Sequence, residues 1–324
     1  IVTDGMDEFD ETFTLSLAAP VNASLGDPNG IGTITDDDLP PLVSINDVTV
    51  VEGTGGTTNA NFNVTLSQPS AKSASVVFTT APGTATAGAD FIGVTGAVAF
   101  APGHTSEWVQ VGIVTDNVDE ADETYAVNLS APVNTTIADA AGIGTITDDD
   151  EMPVISIFDA DLVEGNSGIG LMQFNLELSH PSSFAITVDA DTLPITATGD
   201  IDFELTFVPA FFPPMETKVP VFVPIFGDLM DELDETFDLK LGNPVNAVLG
   251  DISGLGTILD DDAPPAVSIS NSEVTEGTGG VTTANFTLTL SQASGLPVSV
   301  VATTVAGSAL EGDDYSPVFG LTIS

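Results

Sequence analysis

Residues 59–67 alternate with period two: Ala60, Phe62, Val64 and Leu66 fall on one side, and Asn61, Asn63 and Thr65 on the other. That is the signature of a half-buried β-strand. Residues 124–130 alternate again and point Tyr125, Val127 and Leu129 inward. Shorter strands are predicted at 43–45 and 48–52, split by Asn46-Asp47, and at 74–80, closed by Pro82-Gly83. Residues 94–100 and 107–114 flank Pro102-Gly103 and are predicted to pair as a hairpin. The run 144–147 supplies a last strand, Gly53-Thr54-Gly55-Gly56 a turn, and no segment holds a helical period. About seven short strands at regular spacing predict an antiparallel β-sandwich with one face of each sheet buried.

The pattern repeats. Asp-Asp-Asp runs end at Asp38, Asp150 and Asp262, equally spaced by 112 residues. Glu52, Glu164 and Glu276, each followed by glycine, keep that step. So do Asp90, Asp202 and Asp314, each followed by an aromatic residue, and Pro-Val-Asn at Pro20, Pro132 and Pro244. A step held at several landmarks without insertion marks a module of about domain size. The expected organisation is the C-terminal part of one module at 1–38, complete modules at 39–150 and 151–262, and the N-terminal part of another at 263–324. Ile1 opens in mid-pattern, as expected of a segment from something longer. An alternative is that the partial ends complete a module between identical chains, as in strand-complemented filaments.

Charge sharpens this picture. Against 48 acidic residues stand three lysines and no arginine, for a net charge of −45, yet 42% of residues are hydrophobic, enough for cores. Nucleic acid is excluded as a partner, since phosphate contacts need basic side chains. Direct membrane insertion is not expected either, as no apolar run is long enough to span a bilayer, nor is attraction to an anionic membrane without bridging cations. There are no cysteines, hence no disulfides and no thiolate metal site. Three adjacent carboxylates cannot be buried bare, so the Asp-Asp-Asp runs either sit in water or surround a cation. A merely solvated acidic surface explains the composition, but not the return of the acids to the same loop positions in every copy. Calcium takes six to eight oxygens in flexible geometry and suits such clusters; magnesium, with its strict octahedron, suits them less, and the EF-hand pattern is absent.

The order of motifs carries a resemblance. Glu-Gly is followed by Gly88-Ala89-Asp90-Phe91, then Pro-Gly, then Asp-x-x-x-Glu-x-x-Glu-Thr-Tyr from Asp116, then Thr-Ile-Thr-Asp-Asp-Asp. The whole chain resembles tandem Calx-beta domains. The resemblance implies an immunoglobulin-like sandwich with several calcium ions at one tip. Residue by residue, the ligand pattern falls on Glu52, Asp90, Asp116, Glu120, Glu123, Asp148, Asp149 and Asp150. In the next copy it falls on Glu164, Asp202, Asp228, Glu232, Glu235, Asp260, Asp261 and Asp262. The partial copies offer Asp4, Glu8, Glu11, Asp36, Asp37 and Asp38 at one end, and Glu276 and Asp314 at the other. Eight carboxylates are too many for one ion, so two or more ions per module are expected.

Catalysis is not expected. One tryptophan and two tyrosines furnish no sugar cleft for a carboxylate pair, and His104 and His180 occupy non-equivalent turns. The glycine clusters lack the lysine and helix of a phosphate loop. The apolar run 207–215 is expected to be core and edge strand, with prolines blocking edge pairing, or else a contact patch for a neighbouring chain. Each acidic run precedes a short proline linker, so ions there would fix the angle between neighbouring modules. The expected role is a calcium-rigidified structural or adhesive array, extracellular or at a bacterial cell surface. Its partners are neighbouring modules and, in a filament, identical chains. The alternatives are a regulatory calcium-sensing pair of the exchanger type and a glycan- or partner-binding module.

Overall fold

The structure, a computed structural model, describes residues 1–324 and is built of strands without a helix. The chain divides into two compact units, Ile1–Glu151 and Met152–Ser324, each taken here by itself.

The first unit opens with a hairpin of β1 (Glu11–Ser16) and β2 (Asn29–Ile34). Nine strands follow: β3 (Leu42–Ile45), β4 (Val48–Val51), β5 (Thr58–Leu66), β6 (Ala74–Pro82), β7 (Thr95–Phe100), β8 (Ser106–Ile113), β9 (Glu123–Val133), β10 (Thr136–Ile137) and β11 (Ala141–Thr147). They form a sandwich of two sheets, β10-β3-β5-β8 and β4-β11-β9-β6-β7. Ala60, Phe62, Val64 and Leu66 of β5 and Tyr125, Val127 and Leu129 of β9 all point into the core, as their alternation requires. The first strand breaks at Asn46-Asp47, and its halves join different sheets. There β3 runs parallel to β10 and β4 parallel to β11, whereas the remaining pairs are antiparallel.

The hairpin predicted across Pro102-Gly103 does not form. Strand β7 pairs with β6, and β8 pairs with β5 from Thr58↔Ile113 to Thr65↔Ser106, so the turn carries the chain from one sheet to the other. Both strands have an apolar face: Val98 and Phe100 on β7, Val109 and Val111 on β8. Placing them in opposed sheets buries both faces against one core.

The second unit repeats the plan. Strands β12 (Val154–Ile157), β14 (Gly168–Leu178), β17 (Lys218–Gly227) and β19 (Val248–Leu249) make one sheet. The other contains β13 (Ala160–Val163), β15 (Ile186–Pro194), β16 (Phe207–Phe212), β18 (Glu235–Val245) and β20 (Ser253–Leu259). Two short pairs close the unit: β21 (Val267–Ile269) with β22 (Leu288–Leu290), and β23 (Val300–Ala302) with β24 (Leu321–Ile323). The apolar run flagged in the sequence forms edge strand β16, which buries Ala210 and Phe212 while leaving Phe207 and Phe211 exposed. Pro209 removes a donor from that edge.

One aromatic cluster recurs in both cores. Phe91 stacks on Tyr125 at 4.5 Å and 15°, and Phe62 meets Tyr125 edge-on at 6.0 Å. In the second unit Phe203 stacks on Phe237 at 4.3 Å, with Phe174 edge-on at 5.9 Å. Gly144 and Gly256 lie against the Tyr125 and Phe237 rings, where a Cβ would collide with the ring. The stack matters for the loops because Phe91 and Phe203 directly follow Asp90 and Asp202, so a buried ring moors each acid. Replacing Phe91 by alanine is expected to cost about 3–5 kcal/mol. Urea unfolding followed by Trp108, the single tryptophan and in the same module, reads this out. A loss below about 1 kcal/mol, no more than an aromatic pair alone contributes, would contradict the mooring role.

Candidate metal centre

Strand pairing decides which acids meet. In β4 and β11, Val51 is opposite Thr147 in parallel, and the Glu52 N–H donates to the Thr147 carbonyl at 3.1 Å. Parallel partners leave a sheet at the same end, so Glu52 and the run from Asp148 emerge together. Strand β9 runs antiparallel to β11 and starts at Glu123, opposite Ile146, which brings Glu123 to that end too. A bridge between Phe91 and Ile113, with the Val114 N–H donating to the Asp90 carbonyl at 3.0 Å, sets Asp90 beside the loop leading to Asp116. The second unit uses the same devices. Val163 pairs with Leu259, Glu235 with Ile258, and Phe203 with Ile225.

Two carboxylate trios result in each unit. Glu52, Asp148 and Asp150 form one, and Asp90, Glu120 and Glu123 the other; Glu164, Asp260 and Asp262, and Asp202, Glu232 and Glu235, are their counterparts. Within each trio one oxygen per residue lies within 4.8 Å of the others. Oxygens on opposite sides of a calcium ion stand roughly 4.6–5.2 Å apart, so these spacings match one shared hard cation. The fit is supported by buried oxygens without a hydrogen-bond partner: Glu52 Oε1 and Asp148 Oδ1 in the first unit, Glu164 Oε1 and Asp262 Oδ2 in the second. No lysine supplies the missing charge at a trio, because Lys72, Lys218 and Lys240 pair with Asp7 and Asp36, Glu177, and Asp238.

The remaining predicted ligands divide. Asp116 accepts the Val118 N–H at 2.9 Å, and its charge acts on both Glu52 and Glu120, one acid of each trio. Asp228 repeats this with the Met230 N–H at 2.6 Å and with Glu164 and Glu232. Asp149 and Asp261 stand outside the trios and accept the N–H groups of Gly53 at 2.9 Å and Gly165 at 3.0 Å, tying the end of the last strand to the Glu-Gly turn. At the N-terminal end Asp4, Asp36 and Asp38 crowd Glu8 electrostatically, as does Glu11, without closing a trio; Asp37 joins no trio either. Counterparts of Glu52 and Asp90 would fall before residue 1 in the 112-residue register. Glu276 and Asp314 likewise remain apart from any trio, and Asp314 accepts the Leu310 N–H at 2.8 Å.

Sequence reasoning passed over a third set of acids. Asp122 accepts the Asp148 N–H at 3.2 Å, Asp234 the Asp260 N–H at 3.1 Å, and Asp10 the Asp36 N–H at 3.0 Å. Each holds the first residue of an Asp-Asp-Asp run in place. Their signal was the 112-residue step itself, which they keep as faithfully as the trio acids do.

The Calx-beta domain family matches residues 36–150, 148–253 and 260–323. The chain belongs to the Calx-beta family. Over 189 residues, 52% of this chain, it is 30% identical to sodium/calcium exchanger 1 of Canis lupus familiaris. Over 192 residues it is 28% identical to sodium/calcium exchanger 3 of Homo sapiens. The chain spans about a fifth of the length of these relatives (19% and 21%). Among solved structures, CBD12 from CALX1.2 is similar at TM-score 0.32 and 23% identity, covering 63% of this chain and 81% of that one. The apo form of the Calx CBD1 domain is similar at TM-score 0.30 and 27% identity, covering 34% and 98%.

Without a counter-ion these Calx-beta tips are electrostatically strained. Burial, reinforced by Asp116 and Asp148, pushes the Glu52 carboxyl up to about 7, and burial with Asp228 and Asp260 does the same to Glu164. Glu123 and Glu235 also rise to about 7, first through burial and then by sharing a hydrogen bond with Asp90 or Asp202. Their ordinary value is 4.5, so between about pH 4.5 and 7 the folded chain holds more protons than the unfolded one. Its stability without metal therefore falls as pH rises through that window. The melting temperature of the chelated chain is expected to drop from pH 5.5 to pH 8. With saturating calcium the trend should reverse, since deprotonated carboxylates are the ligands. A chelated chain whose melting temperature is flat across this window would contradict the reading.

Proposed function

We propose that this chain is part of a calcium-stiffened structural array, in which ions held by a module's carboxylate trios stiffen its joint with the module that follows. The observation that carries this reading occurs in both units: the acidic end of one module packs on a serine turn of the next. In the first unit the buried Asp7 accepts the Ala71 N–H at 3.0 Å and the Ser70 hydroxyl at 2.8 Å. In the second, Asp231 accepts the Gly295 N–H at 3.1 Å and the Ser294 hydroxyl at 3.3 Å. Asp231 is followed directly by Glu232, a member of a trio, so an ion there lies next to the joint. Calcium relieves the mutual repulsion of these acids; this chain's own part is to gather the oxygens and hold them near the boundary.

The array reading extends to an extracellular or cell-surface setting and a structural or adhesive role, with neighbouring modules and identical chains as partners. Tandem copies in strict register support it, as does an acidic excess that suits a calcium-rich medium. Catalysis has no part in this reading. Similarity to the exchangers favours a second reading, a regulatory calcium-sensing pair. Affinity separates the two. Sensors bind calcium at roughly 10⁻⁷–10⁻⁵ M, and extracellular modules at roughly 10⁻⁴–10⁻³ M.

Small-angle scattering of the intact chain tests the mechanical claim. With calcium the particle is expected to be long and stiff; with chelator its maximum dimension should shrink and its profile become that of a flexible chain. Superimposable profiles in the two conditions would rule out calcium stiffening. Calorimetric titration on the same sample then assigns the setting: weak sites support the array, and micromolar or tighter sites the sensor.

A further inference from the structure

Lys218 and Lys240 pair with acids of their own module, Glu177 at 2.6 Å and Asp238 at 3.7 Å. Lys72 does something else. It follows Ser70 in the turn between β5 and β6 and reaches across the module boundary. Its Nζ lies 2.6 Å from Asp7 Oδ1 and 3.3 Å from Asp36 Oδ2, and 5.4 Å from the centre of the Phe9 ring. The Lys72 side chain is 18% exposed and that of Asp7 only 2%. The other Asp7 oxygen accepts the Ser70 hydroxyl, so both are satisfied. Asp36 is the register counterpart of Asp148 and Asp260, each of which belongs to a trio. The ammonium therefore sits on a carboxylate whose counterparts elsewhere in the chain pair with no lysine.

The second unit is an internal control. Its backbone frame at the boundary is the same, with Asp231 bonded to Ser294 and Gly295. In the 112-residue register, however, Lys72 becomes Leu296 and Phe9 becomes Leu233. The cation and the ring beneath it are replaced together, and no other lysine reaches Asp231.

We propose that Lys72 is a cation built into the protein, latching residues 1–38 to residues 39–150 without a divalent ion, while the Leu296 boundary depends on bound metal. A buried carboxylate holding an ammonium in good geometry is a strong contact to break from one side, because breaking it strands a charge. The cation–π contact with Phe9 adds to it. The array then has joints of two kinds, one permanently closed and one that answers to calcium. The contrast between the joints rests on the calcium reading above; the latch itself does not.

The chain lacks cysteine, so pairs of spin labels can be placed at will. One pair, at Thr14→Cys and Asn61→Cys, spans the first boundary; another, at Leu255→Cys and Thr289→Cys, spans the second. All four positions are exposed on strands. Pulsed electron–electron distances are measured in calcium and in chelator. In chelator the first pair is expected to keep a narrow distribution and the second to broaden at least twofold. Lys72→Leu should broaden the first pair in chelator, and Lys72→Arg should keep it narrow. Leu296→Lys should narrow the second. A first pair that is broad in chelator without any latch substitution, or that stays narrow with Lys72→Leu, overturns the latch. A second pair equally narrow in both conditions instead refutes metal dependence at that joint, and leaves the Lys72→Leu result to decide the latch alone.

Discussion

The constraint on which this structure turns is the repulsion among carboxylates gathered at the end of each sandwich. The chain carries 48 acids against three lysines, and it concentrates the acids where parallel and antiparallel strands end side by side. Packing alone cannot offset that charge. Either protons or cations must neutralise it, and the upward shift of Glu52, Glu123, Glu164 and Glu235 registers the proton solution when no ion is near. Filled by calcium, the same oxygens become ligands, and the cost of crowding becomes a gain on binding.

The cores make this possible by being indifferent to it. Phe91 on Tyr125 and Phe203 on Phe237 form a rigid floor directly beneath Asp90 and Asp202. Above that floor, Asp122 and Asp149 tie the Asp-Asp-Asp run to neighbouring backbone before any ion arrives. Backbone N–H groups bonded to Asp122 and Asp149, which stand outside the trios, thus hold the loops in place, while the trio carboxylates keep the charge that a cation would neutralise.

Much of the fold was legible because period-two alternation names the buried face directly: Phe62, Val64, Tyr125 and Val127 are inward as read. Repetition made the recurring acids legible as well, since each keeps the 112-residue step, but not which of the eight in a module meet in trios. What the sequence concealed were choices between sheets. Pro102-Gly103 reads as a hairpin turn, but turn chemistry does not say whether the next strand pairs with the last or crosses to the opposite sheet. Nor does alternation show that the break at Asn46-Asp47 sends β3 and β4 to different sheets. The Lys72–Asp7 contact joins residues 65 apart and has no local signal; only its absence at Leu296 makes it stand out.

Calcium in the trios is the claim to which the rest is tied, and an anomalous difference map from crystals grown in millimolar calcium addresses it most directly. The account predicts strong peaks enclosed by Glu52, Asp148 and Asp150 and by Asp90, Glu120 and Glu123, repeated in the second unit. Carboxyls bonded to one another through shared protons, with no peak between them in that map, would contradict it.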